Sequence, residues 1–88
     1  MKNTKNFIPM IYTQVPDLPN WTRGSILEYT FCIKHYERGS QYGIDGGRIS
    51  KLEIRKGNKI LANYDRGWDI EPAEETKKAY AAILEKFN

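Results

Sequence analysis

The densest group of side chains able to do chemistry is Asp65-Arg66-Gly67-Trp68-Asp69. Two carboxylates flank a guanidinium and an indole. For Asp65 and Asp69 to act as general acid and base they need a cleft and two different proton affinities, since the acid must keep the proton that the base lacks. The same residues also read mechanically. Gly67 turns the chain, Trp68 fills a gap between sheet and helix, and Asp69 caps the start of the next helix. Arg66 has Asp65, Asp69 and Glu53 as candidate ion partners. Arg66 and Trp68 are also residue types that anchor protein interfaces. With Tyr36 and Arg48 they form the expected partner-binding set.

Two further groups invite a chemical reading. Cys32 and His35 are the soft metal ligands of the chain. Three apart on a strand, they point to opposite faces, and a structural zinc site needs four ligands, so no metal is expected. His35 cannot activate Cys32 across a sheet, and no nucleophile elbow surrounds Ser25, Ser40 or Ser50. The glycine-rich segment 39–47 invites comparison with a phosphate cradle. It lacks the Gly-Lys-Ser/Thr ending, and the next segment reads as strand rather than helix, so it is expected to be a loop whose glycines supply positive φ. No catalytic residue and no cofactor emerge, and the expectation is a protein that is not an enzyme.

A basic sheet face is the other candidate. Lys34, Lys51, Arg55 and Lys59 fall on strand positions that can share one polar face and meet phosphates, with Tyr36 able to stack on a base. Glu28 and Glu53 dilute that patch. A net charge of +3, from 14 basic and 11 acidic residues, permits a nucleic-acid partner without demanding one, and it argues against an acidic mimic of DNA.

Periodicity supplies the strands and the helix on which these groups stand. Residues 21–37 read as one long strand, with Leu27, Tyr29, Phe31 and Ile33 on an apolar face and Glu28, Thr30, Cys32 and Lys34 on a more polar one. Residues 48–56 alternate again, with Ser50, Leu52 and Ile54 on one side. Lys56-Gly57-Asn58-Lys59 closes a tight hairpin. Ile60, Ala62 and Tyr64 are expected inward on the next strand. Pro72 then suits a first helical position, and Thr76, Tyr80, Ile83, Leu84 and Phe87 make one helical stripe. Ile44 is expected to tuck the glycine loop down. Ahead of all this, residues 1–20 carry Pro9, Pro16 and Pro19 and form an extended arm, apolar enough to pack on an open flank of the domain or on a partner.

The predicted fold is α+β: a three-stranded antiparallel meander with one C-terminal helix on one face, and with room for a fourth strand from the arm around Ile8 to Thr13. The 88 residues suffice for one core. One cysteine precludes an internal disulfide and suits a reducing compartment. A basic start, Lys2 and Lys5, precedes the apolar run 7–12, but Pro9 breaks that run and no cleavage site comes after it. A cytoplasmic, non-membrane protein is therefore expected, with an uncovered sheet edge that invites a homodimer.

Gly43-Ile44, Gly46-Gly47-Arg48-Ile49-Ser50-Lys51-Leu52, Asn63-Tyr64-Asp65-Arg66-Gly67-Trp68-Asp69 and Pro72 together resemble a family of small uncharacterised proteins carried by phages and integrative elements of Gram-positive gut bacteria. The resemblance covers residues 21–88. It implies no activity and no catalytic position. It does imply a mobile-element setting, in which small proteins bind host or element factors. The functional expectation is thus a protein-binding module, an inhibitor or modulator of a host defence or nucleic-acid-processing protein. The alternative is a nucleic-acid binder acting through the sheet face.

Overall fold

The computed structural model describes residues 8–88. Lys2, Lys5 and Phe7 lie outside the described residues. The described residues form six strands, β1 (Met10–Gln14), β2 (Trp21–Ile26), β3 (Tyr29–His35), β4 (Ile49–Lys56), β5 (Lys59–Asp65) and β6 (Trp68–Ile70), followed by helix α1 (Lys77–Phe87). The strands make one antiparallel sheet in sequence order, and α1 covers one face.

The α+β class and the single C-terminal helix are as expected, but the sheet has six strands instead of three or four. The long strand 21–37 is in fact a hairpin. It reverses at Leu27-Glu28, where Leu27 takes the left-handed conformation, φ 54°, that Gly or Asn usually supplies. β1 comes from the proline-bearing arm, and β6 from the Trp68 corner.

Register fixes which side chains share a face. Ile26–Tyr29, Phe31–Ile54–Ala62 and Ile33–Leu52–Tyr64 are cross-strand rows beneath α1, and all are buried. Ala79, Ile83 and Phe87 complete the core from the helix, while Tyr80 and Leu84 pack at its margin. The stripe is therefore rotated slightly from the expected one. Burying Ile83 and Phe87 contributes about 1.5–3 kcal/mol each before entropy is counted. Opposite the Ile54–Arg55 step of β4, Leu61 is the extra residue of β5, and Leu61, rather than Ile60, packs against the core.

Gly24 lets β1 lie close on β2: a Cβ there would sit 2.1 Å from the Ile11 carbonyl oxygen. Pro72 does not open the helix. An extended segment runs through it to a 3-10 turn, Glu74–Thr76, and α1 begins at Lys77 with no side-chain cap, so Asp69, in β6, is not the expected helix cap. Tyr29 ties the start of the helical region to the sheet by donating from Oη to the Glu75 carbonyl at 3.1 Å.

Candidate functional site

The face of the sheet away from α1 has no covering element among the described residues. Its side chains alternate with those of the core. One row reads Thr13, Arg23, Cys32, Glu53, Asn63 across β1 to β5. The next reads Ile11, Ser25, Thr30, Arg55, and a third reads Trp21, Lys34, Lys51, Asp65.

Short side chains at the centre hollow this face. Ser25, Thr30 and Cys32 floor a trough of about 510 Å3, with Ile11 and Thr13 at its β1 end and Glu53 and Arg55 at its β4 end. Glu53 and Arg55 pair with each other. Arg23 has no ion pair among the described residues. Burial of the Cys32 thiol raises its pKa, and the nearby Glu53 carboxylate adds to the rise while Arg23 opposes it. The thiol is thus a protonated, weakly nucleophilic part of the trough lining.

Beside the trough, Lys34 and Lys51 are direct cross-strand partners. Lys51 reaches Asp65 at 3.3 Å. Lys34 has no carboxylate partner among the described residues; its ammonium lies 6.0 Å from the Trp21 ring centre and 5.7 Å from that of Tyr36. Lys34, Lys51 and Arg55 therefore do share one face, with Trp21 as an aromatic neighbour that periodicity alone does not reveal. Lys59 stands apart from them, exposed at the hairpin beyond Gly57.

The second cluster lies at the loop end of the sheet. Tyr36 follows β3, and its N–H donates to the Arg48 carbonyl at 3.1 Å. Arg66 takes φ 60°, its N–H donates to the Ser50 carbonyl at 3.0 Å, and its guanidinium lies 4.7 Å from the Tyr42 ring centre. None of the expected carboxylates pairs with it. Trp68 turns to the helix side, edge-on to Tyr64 at 5.0 Å and to Tyr80 at 5.6 Å, and is 36% exposed. This matches its mechanical reading. Tyr80 is pushed up to about 12, first by burial and then by Asp45, Tyr64 and Glu71. So Tyr36, Arg48 and Arg66 gather at one end of the sheet, with Trp68 packed on the helix side. Asp65 and Asp69 do not form a pair, because Asp65 is held by Lys51 and Asp69 is the extra residue where β6 slips against β5.

Loop 36–48 is anchored from below. Ile44 is buried, as expected, and Asn88 clasps the loop to β4: its Nδ2 donates to the Ile44 carbonyl at 3.0 Å and its Oδ1 accepts from the Ile49 N–H at 2.9 Å. Tyr64 Oη donates to the Tyr42 carbonyl at 2.8 Å. A Cβ on Gly43 would fall 1.8 Å from the Gly47 carbonyl oxygen, so this glycine serves the loop's own closure.

Cys32 and His35 do project from opposite faces. His35 packs its ring 5.2 Å from that of Phe87, with Nε2 3.0 Å from Thr22 Oγ1. Burial, and then Arg48, lower its pKa. Among the described residues no group of three or more His, Cys, Asp or Glu could hold a metal ion, and no helix is long and apolar enough to cross a membrane.

The model of one family, described as a domain of unknown function, DUF7678, matches residues 20–88. The chain belongs to that family. No curated protein and no solved structure matches it. The DUF7678 match opens just before β2 and runs through α1, so β1, which supplies one end of the trough, precedes it. The trough floor, the Lys34–Lys51 pair and the Trp68 corner all fall within the DUF7678 domain.

Proposed function

We propose that this protein is a non-enzymatic protein-binding module of a phage or mobile element, acting in the cytoplasm as a modulator of a host defence or nucleic-acid-processing protein. The trough on the uncovered sheet face carries this reading. Its floor is small and its β1 end apolar, so it fits an inserted apolar side chain. Around it, Arg23 and Lys34 lack carboxylate partners among the described residues, so the segment bearing that side chain is acidic. Tyr36, Arg48 and Arg66, at the loop end, extend the contact beyond the trough. The motif resemblance to mobile-element proteins supports a host or element protein as partner.

The test compares baits in a pull-down from host lysate. Ser25→Trp fills the trough, and Lys78→Glu, on the exposed side of α1, is the control. A protein captured by the wild type and by Lys78→Glu but lost with Ser25→Trp supports the reading. No capture by the wild type, or equal capture by all three, contradicts it.

A second reading rests on one observation, the Lys34–Lys51 pair bracketed by Trp21 and Tyr36 on an open face. Cations beside exposed rings suit single-stranded nucleic acid, with Arg55 as a further phosphate contact and Lys59 at its margin. Affinity for a fluorescent oligonucleotide then falls steeply with added salt. A flat salt response, or no binding, removes this reading.

A further inference from the structure

The two edges of the sheet are not equivalent. β6 is three residues long, carries Asp69 and is entered through Arg66 in the left-handed conformation. Such an edge is a poor template for another strand. β1, Met-Ile-Tyr-Thr-Gln, is five residues long and has neither a charge nor a proline.

Hydrogen-bond parity shows what β1 offers. Val15 N–H donates to the Trp21 carbonyl at 2.9 Å, which places Val15–Trp21, and by alternation Thr13–Arg23 and Ile11–Ser25, at hydrogen-bonded positions. The N–H and C=O groups of Met10, Tyr12 and Gln14 therefore face away from β2, toward an edge that no other strand covers among the described residues. Apolar surface gathers at the same place: Ile11 is 76% exposed, Tyr12 44% and Leu18, in the β1–β2 connection, 50%.

We infer that the free edge of β1 is a self-association surface, taken by β1 of a second copy of this chain running antiparallel about Tyr12. In that register Tyr12 faces its own mate, Met10 faces Gln14 and Ile11 faces Thr13. The outward N–H and C=O groups of both strands then pair along their whole length. A two-fold arrangement needs a self-complementary patch, and β1 is one because none of its own residues is charged; the Lys86 ammonium, 5.2 Å from the Tyr12 ring centre, is a cation close to it. A strand of another protein would need no such neutrality. Pairing also joins the two sheets into one, so that the troughs, each ending at Ile11 and Thr13, become continuous across the dyad. The inference stands independently of what the trough binds.

Sedimentation velocity from low micromolar to millimolar concentration tests it, alongside amide exchange. The average mass rises toward that of a dimer, and the Tyr12 and Gln14 amides gain protection as it rises. Ile11→Lys sets a charge beside the dyad, and Gln14→Pro removes an outward N–H, together with the Gln14 side-chain bond to the Pro19 carbonyl, without touching a backbone bond to β2. Both variants stay monomeric, with circular dichroism like the wild type. A wild type that is monomeric throughout, a dimer that survives both substitutions, or one that leaves the Tyr12 and Gln14 amides unprotected overturns the inference.

Discussion

Lys34 and Lys51 sit directly opposite one another on β3 and β4, and among the described residues only Lys51 has a carboxylate to offset the repulsion. Like charges in direct cross-strand register are destabilising. Lys34→Glu converts the pair to opposite charges. The expected result is a gain of about 0.5 kcal/mol, or about 2–4 °C in Tm, together with loss of any nucleic-acid affinity. Thermal unfolding and oligonucleotide titration of the same variant read both effects.

Asn88 makes a different kind of link. Its amide is shared between the Ile44 carbonyl and the Ile49 N–H, so truncation leaves a buried strand donor and a loop acceptor without their partner. Asn88→Ala is expected to cost about 1–3 kcal/mol and to speed amide exchange at Ile49. An unchanged Tm would show that the clasp does not hold the loop.

Thr76 is fully buried and its hydroxyl has no hydrogen-bond partner among the described residues. A valine of the same shape removes that polar burden. Thr76→Val is expected to raise stability by about 1 kcal/mol, read from denaturant unfolding at an unchanged slope.

Much of this is legible in the sequence, for reasons that also explain what is not. Ile83 and Phe87 mark the helix because they fall on one stripe, and Gly57 marks its hairpin because glycine supplies the φ of 62° found there. The Leu27-Glu28 reversal carries no such sign, since a leucine holds the left-handed residue of the turn. The available clue is parity: apolar Ile26 and Tyr29 would fall on opposite faces of a continuous strand, whereas the reversal puts both on the buried one. A seventeen-residue strand also exceeds the usual length of about 3–10 residues. Reading 21–37 as one strand hides the trough, because Ser25 on β2 and Thr30 and Cys32 on β3 become neighbours only once the chain folds back. It hides Trp21 beside Lys34 for the same reason. β6 leaves no sign because Arg66, not Gly67, takes the positive φ at its turn.

His35 gives the fold a pH dependence. Burial and then Arg48 hold its imidazole neutral more strongly in the folded state than in the unfolded chain. As pH falls through the ordinary value of 6.5, the unfolded chain binds the proton first. Stability declines from there until the lowered folded-state value is passed. Wild type is therefore expected to be less stable at pH 5.5 than at pH 7.5, and His35→Gln to flatten that slope. Equal slopes in the two proteins would assign the dependence to other groups.

Cys32 allows the most direct measurement, because it is the one cysteine of the chain and lies in the trough. Its raised pKa calls for labelling at mildly alkaline pH. The protein is labelled with a bulky maleimide or with a small methylthio group, and capture of the partner is compared at equal Tm. If the uncovered face binds the partner, the bulky label abolishes capture and the small one leaves it intact. Full capture by the bulky-labelled protein would contradict that assignment.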